Sequence, residues 1–73
     1  MKNFEIENKV SGAYLGVHPG KNAADAIEAM AHGIGATSYR EWIHGLNDAF
    51  MLTEDDLDGL VEAAIAELVI TEV

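Results

Sequence analysis

Residues 3–18 read NFEIENKVSGAYLGVH, and the alternation of side chains in this stretch decides the fold class. Apolar Phe4 and Ile6 alternate with acidic Glu5 and Glu7. A period of two is typical of a β-strand that buries one face and exposes the other to water. The sequence therefore predicts a strand over residues 3–10 with Phe4 and Ile6 on its buried side.

A second strand follows after a turn. Ser11 and Gly12 supply the turn residues, and Leu15 and Val17 then repeat the alternation until Pro19-Gly20. We interpret Pro19-Gly20 as the end of this strand. The stretch predicts a β-hairpin of residues 3–10 and 13–18, with Leu15 and Val17 facing the core.

The next segment has the pattern of a helix. Asn22 is suited to cap its start, and Asp25 places a negative charge in the first turn. Gly33 and Gly35 are predicted to end it. Its apolar stripe consists of Ile27, Met30 and Ile34.

Two further helices are predicted downstream. Ser38 and Glu41 have the spacing of a reciprocal capping box, followed by an apolar face of Tyr39, Trp42, Ile43 and Leu46. Thr53 with Asp56 has the same spacing before a helix that begins at Glu54. Leu52 and Leu57 are spaced for a hydrophobic staple. The stripe of this third helix is Leu57, Leu60, Val61, Ala64 and Leu68.

The last residues, 68–73, read LVITEV and admit two interpretations, a frayed helix end or a third strand. We favour the strand, because an isolated hairpin is only marginally stable in water. The sequence then predicts one α+β domain over residues 1–73, with order ββαααβ and a small antiparallel sheet packed against about three helices. Trp42 is expected to be its main core aromatic. The predicted core is Phe4, Ile6, Leu15, Val17, Ile27, Met30, Trp42, Leu46, Leu57, Leu60, Val61 and Leu68.

Composition restricts the possible partners. Thirteen Asp and Glu against four Lys and Arg give a net charge of −9, which repels nucleic acid and anionic membranes and attracts cationic surfaces. Hydrophobic residues make up 49% of the chain, yet no apolar run approaches the roughly 20 residues of a membrane span. Without cysteines or a signal-peptide pattern, the expected compartment is a reducing cytoplasm.

Motifs for catalysis or metal binding are not found in the sequence. Residues 54–65 begin like a calcium loop, but Ile65 stands where a bidentate Glu is required. His18, His32 and His44 lack the spacing of metal ligands. There is also no GxSxG or GxGxxG stretch. We therefore expect no enzymatic activity, no cofactor and no metal site.

The acidic charge is concentrated after Thr53, where no Lys or Arg follows. A helix over residues 54–67 is about 21 Å long and carries a carboxylate roughly every 3.5 Å. One strand of B-DNA carries a phosphate about every 3.4 Å. The candidate partner-binding residues are Glu54, Asp55, Asp56, Asp58, Glu62 and Glu67.

Two interpretations of this acidic helix remain open. It is either a solvated face that keeps a small protein soluble or a surface that binds a cationic partner. Asp55, Asp58 and Glu62 share one face by their spacing. Glu5 and Glu7, on the outer face of the hairpin, are the second candidate surface.

Residues 4–42 contain SGAYLG, DAIEAMA and SYRE, a combination that resembles small uncharacterised bacterial and phage proteins with a hairpin followed by paired helices. In size, acidity and lack of catalytic motifs, the chain also resembles the acidic anti-CRISPR proteins of phages. That resemblance implies an inhibitor that mimics DNA and occupies a positively charged path on a Cas effector subunit. The alternative is an antitoxin-like or other small acidic binding module from a mobile element, since the layout is also similar to that of HicB-type antitoxins.

Overall fold

The computed structural model describes residues 1–47 and 52–73, which form a three-stranded sheet and three helices in the order ββαααβ. All strand pairs are antiparallel, and β1 lies in the centre between β2 and β3. The predicted α+β fold class and the C-terminal strand are confirmed. The elements are β1 Lys2–Asn8, β2 Tyr14–Gly20, α1 Ala23–Gly33, α2 Tyr39–Leu46, α3 Glu54–Ala66 and β3 Leu68–Glu72.

Strand β1 ends at Asn8, two residues earlier than predicted, because the Asn8 side chain organises the turn. Its Oδ1 accepts hydrogen bonds from the backbone N–H groups of Val10 and Ser11, each at 2.9 Å. Gly12 completes the turn with a φ of +77°, a conformation that side chains with a Cβ rarely adopt. Val10 consequently lies outside the strand and is exposed.

A β-bulge in β2 changes the face on which its side chains lie. Ile6 pairs with Gly16 and Glu7 pairs with Tyr14, so Leu15 is an extra residue in the ladder. Gly16 accommodates this bulge with a φ of +92°. Val17 is then on the face opposite to Leu15 and is 48% exposed, so its predicted burial is wrong.

Strand β2 also continues through Pro19-Gly20, where the sequence predicted its end. Proline is tolerated there because β2 is an edge strand, on which a missing N–H leaves no partner strand unpaired. Gly20 is buried against the start of α1. As predicted, Asn22 caps that helix by accepting a hydrogen bond from the Asp25 backbone N–H at 3.0 Å.

The core lies between the sheet and the helices, mainly where α1 packs against β2 and β1. Its buried residues are Phe4, Ile6, Ala26, Ile27, Met30, Ala31, Tyr39, Ile43 and Leu57. The sequence did not single out Ala26 and Ala31, because small side chains carry little hydrophobic signal. Both are 0% exposed on the buried side of α1.

Several residues predicted to be buried are only partly so. Leu15, Trp42, Val61 and Leu68 are half-buried against the core. Leu46, at the last position of α2, is 63% exposed. Ile34 follows the end of α1 and is exposed, while Leu60 lies at the border of the α3 face that Leu57, Val61 and Ala64 bury.

Tyr39, and not Trp42, is the buried aromatic residue of α2. Tyr39 is 3% exposed, whereas Trp42 is half-buried and packs against it with ring centroids 5.6 Å apart. Helix α2 begins with Ser38, whose hydroxyl accepts from the Glu41 backbone N–H at 3.1 Å. Only this half of the predicted capping box is present among the described residues.

Within the same residues, none of the helices has the length and apolar character needed to cross a membrane.

Burial of Tyr39 predicts a loss of stability at alkaline pH. Desolvation, and then the charge of Glu67, raise the pKa of Tyr39 above its usual value of 10.0. The stabilisation is therefore complete below about pH 10 and is lost as the pH rises through the folded-state pKa. The urea midpoint should fall at alkaline pH in the parent protein and fall less in Tyr39→Phe, which cannot ionise. Equal alkaline losses in the two proteins would contradict this assignment.

Candidate acidic interface on the third helix

Helix α3 begins with a complete capping box. The Thr53 hydroxyl accepts from the Asp56 backbone N–H at 3.2 Å, and the Asp56 carboxylate accepts from the Thr53 backbone N–H at 3.3 Å. The predicted capping box is confirmed. Glu54, Asp55 and Asp56 all lie in the first turn, where the positive end of the helix dipole stabilises negative charge. Asp56 therefore has a structural role in addition to its charge.

Arg40 of α2 pairs with two carboxylates of α3. Its Nη2 lies 3.0 Å from Glu54 Oε2, and its Nη1 contacts Asp58 Oδ1. Nη2 also donates to the Glu54 backbone carbonyl at 3.3 Å. No Lys or Arg follows Thr53 in the sequence, but packing of α2 against α3 brings one cation to the acidic stretch from outside it.

These ion pairs lie on the surface. The side chains of Glu54 and Asp58 are 92% and 62% exposed, so each pair adds little stability and is weakened by salt. Hydrogen bonding to Asp58 is the main reason that the pKa of Arg40 is raised. Arg40 thus joins α2 to α3 without neutralising the whole cluster.

Asp55 and Glu62 have no ionic partner among the described residues. Both are exposed, and neither side chain forms a hydrogen bond or ion pair within the described part of the chain. They lie seven residues apart, which places them about two turns apart on one helix face, with an axial separation of about 10.5 Å. Asp58 lies between them on that face. We call Asp55, Asp58 and Glu62 the acidic row.

The segment from Glu54 to Glu62, which contains the acidic row, keeps a strong net negative charge after Arg40 is included. Five carboxylates lie between Glu54 and Glu62, and one guanidinium contacts them, which gives −5 + 1 = −4. Such a charge on two turns of a helix creates a local negative potential larger than that of isolated surface residues.

Glu67 is separated from the other five candidate residues. It follows the last residue of α3 and is half-buried, and its backbone carbonyl accepts from the Lys9 backbone N–H at 2.9 Å. Five residues beyond Glu62, it is rotated about 140° around the helix axis from that residue. Its charge acts on Tyr39 instead, whose pKa it raises after the larger effect of burial. The structure therefore brings together Glu54, Asp55, Asp56, Asp58 and Glu62.

An apolar cavity of about 230 Å³ lies elsewhere, between β2, α1 and α2. It is lined by Leu15, His18, Met30, Gly33, Ile34 and Trp42. The His18 Nε2 donates to the Leu15 backbone carbonyl at 2.7 Å, so this ring is held by the bulge. Among the described residues, no group of three or more His, Asp or Glu side chains is placed to hold a metal ion.

Sequence reasoning could not find the role of Arg40. The residue is 14 positions from Glu54 and 18 from Asp58, and such pairing depends on how two helices pack, not on local spacing. The only available signal was that Arg40 is the one arginine of a chain rich in carboxylates.

Comparisons with known proteins found no match for this chain. No protein-family model, no curated protein and no solved structure matches it.

Proposed function

We propose that the protein is a non-enzymatic acidic binding protein that uses α3 to occupy a positively charged surface of a partner. The observation that carries this proposal is the acidic row, in which Asp55 and Glu62 are exposed and have no ionic partner in the described residues. Like charges so closely spaced on a helix destabilise it by a few tenths of a kcal/mol per pair. A cationic partner would turn that repulsion into attraction.

The specific form of the proposal is an anti-CRISPR protein that acts in the host cytoplasm as a DNA mimic. A Cas effector holds nucleic acid in a path lined with Lys and Arg, and a rigid negatively charged helix offers that path an alternative occupant. The net charge of −9 and the resemblance in size and acidity to known inhibitors support this choice. The capping box of Thr53 and Asp56 stabilises the start of α3, which favours the helical conformation of the row before binding.

Binding through such a row should depend strongly on salt. Charges exposed to solvent are screened over about 8 Å at physiological ionic strength, so affinity should fall steeply as salt rises. The protein should also compete with nucleic acid and not bind the effector together with it.

The sharpest test reverses Asp55 and Glu62 to lysine together. These two changes leave the capping box and the Arg40 ion pairs in place, unlike a reversal that includes Asp58. Purified Cas effectors would be assayed for target-DNA binding with increasing inhibitor. The parent should displace DNA, and the double variant should need at least about 100-fold more protein, since about 2.7 kcal/mol follows from two lost contacts and two added repulsions.

The matched control is Glu41→Lys with Glu72→Lys, which changes the net charge equally at two exposed carboxylates outside α3. It should displace DNA nearly as well as the parent. Circular dichroism must establish that both variants are folded. If the folded Asp55→Lys/Glu62→Lys variant displaces DNA as the parent does, or if no Cas effector responds to the parent, the proposal is overturned. Recovery of a neighbouring toxin in a pull-down would favour the antitoxin alternative.

A further inference from the structure

The sheet has a second face, which carries both acidic and apolar side chains. Glu5 pairs with Val17 on β2 and Thr71 on β3, and Glu7 pairs with Tyr14 and Val69. Directly opposed residues in antiparallel strands point to the same side of a sheet. Glu5 and Glu7 thus form an acidic column on the central strand, with mostly apolar columns on both sides. We call Glu5, Glu7, Tyr14, Val17, Val69 and Thr71 the open sheet face.

Within the described residues, no helix covers this face. Phe4 and Ile6, on the other side of β1, are buried beneath the helices. On the open sheet face, Tyr14 is 61% exposed and Val69 is 45% exposed, similar to Val17. Antiparallel sheets with one solvated face usually expose polar residues there. Exposed Tyr14, Val17 and Val69 on either side of an acidic pair offer a partner both apolar and charged contacts.

The charge of this face is not offset within the described chain. Glu5 accepts a hydrogen bond from the Tyr14 hydroxyl at 3.4 Å, and neither Glu5 nor Glu7 forms an ion pair with a described residue. Lys2 pairs instead with Glu72, at 3.3 Å. Glu72 is directly opposite Phe4, and Lys2 is two residues from Phe4 on the same strand. Both therefore lie on the Phe4 side of the sheet, away from the open sheet face.

We propose that the open sheet face docks a basic amphipathic helix of a partner protein. Lys or Arg side chains of that helix would pair with Glu5 and Glu7, while its apolar side chains would cover Tyr14, Val17 and Val69. A second copy of this chain fits poorly, because a symmetric contact would bring four carboxylates together. A cationic partner removes that repulsion.

The dimensions favour a helix as the docked element. Glu5 and Glu7 are two residues apart on a strand, or about 6.8 Å. Helix residues at i and i+4 are about 6.0 Å apart along the axis, so two basic residues at that spacing match the acidic pair. The backbone N–H and C=O groups of a helix bond to one another. An extended peptide lying on a sheet face would find no backbone partners there, because the sheet uses its own backbone groups between its strands.

This inference does not rest on the acidic row of α3. The row belongs to the helical layer, whereas the open sheet face lies on the other side of the strands. The two surfaces also differ in chemistry, because the row is almost purely ionic and the sheet face combines charge with apolar area. Binding at the sheet face should therefore retain a salt-resistant component.

The test uses a labelled amphipathic helical peptide with Lys at i and i+4 and Leu on the adjoining positions, and a Glu-containing peptide of the same pattern as its control. Fluorescence anisotropy should detect binding of the Lys peptide alone. Glu5→Gln with Glu7→Gln should weaken it about tenfold, as expected for two exposed ion pairs of about 0.7 kcal/mol each. Val17→Thr with Val69→Thr should remove the part that persists in high salt.

The Asp55→Lys/Glu62→Lys variant separates this inference from the proposed function. It should bind the Lys peptide within about twofold of the parent, because the row is not part of the sheet surface. NMR shifts on titration should localise to Glu5, Tyr14, Val17 and Val69. Failure of the peptide to bind the parent, equal binding to the glutamine variant, or loss of binding only in the α3 variant would overturn the inference.

Discussion

Replacement of Ile6 by alanine is expected to remove much of the stability of this domain. Ile6 is 0% exposed and lies on the central strand, paired with Gly16 on one side and Ile70 on the other. Truncating a buried isoleucine to alanine costs about 2–5 kcal/mol. A domain of 73 residues has a total stability of about 4–11 kcal/mol, at about 0.05–0.15 kcal/mol per residue. Urea denaturation followed by circular dichroism measures the loss.

Val17→Ala is the matched control for that experiment. The sequence pattern placed Val17 in the core with Ile6, but the bulge turns it to the open sheet face. Its truncation should cost about 1 kcal/mol or less, mainly through reduced strand propensity. If Ile6→Ala were no more destabilising than Val17→Ala, the bulge and the burial pattern that follows from it would be wrong.

The second large effect is expected at Gly20, where β2 meets α1. A Cβ at this position would lie 2.7 Å from the Ala26 backbone nitrogen and 2.9 Å from the Asn22 carbonyl oxygen. Both neighbours are backbone atoms at the start of the helix, so they cannot move aside without displacing α1. Gly20→Ala should therefore destabilise the fold by about 1–3 kcal/mol through overpacking.

Gly59→Ala gives the opposite expectation for the same chemical change. Gly59 lies in the middle of α3, and a Cβ there meets no described atom within 4 Å. Alanine has a higher helix propensity than glycine, so this variant should be more stable by about 0.5–1 kcal/mol. Denaturant midpoints that move in the same direction for both variants would contradict the close approach at Gly20.

Local sequence patterns predicted the elements of the fold well. The hairpin and the caps at Asn22 and Thr53 depend on residues close to one another in sequence, whereas the C-terminal strand was inferred from the marginal stability of an isolated hairpin. The alternation of apolar and polar residues and the helix-capping residues both extend over only a few positions, so they can be recognised in the sequence without the tertiary structure.

Features that depend on packing could not be predicted in this way. The bulge at Leu15-Gly16 breaks the alternation that assigned Val17 to the core, and a glycine in a strand pattern does not by itself specify where the extra residue lies. Tyr39 and Trp42 share one apolar face of α2, and only the angle at which that helix packs decides which is buried. Arg40 reaches α3 for the same reason.

The acidic candidate residues were predicted as one continuous set, but the structure separates them by environment. Asp56 completes a cap, Glu54 and Asp58 pair with Arg40, and Glu67 lies near Tyr39. Only the three-dimensional arrangement identifies Asp55 and Glu62 as the exposed carboxylates without a described partner. The carboxylates of α3 therefore differ in how available they are to a partner, although the sequence presents them as one set.

The central position of β1 has a consequence for the order of folding. One of its neighbours, β2, is adjacent in sequence, but the other, β3, is separated from it by all three helices. Closing so long a loop loses more chain entropy than forming a hairpin, and contacts of high sequence separation form slowly. We expect the hairpin to form early and β3 to dock late. Until it docks, β1 presents an unpaired edge, which makes the late folding intermediate the species most prone to aggregate.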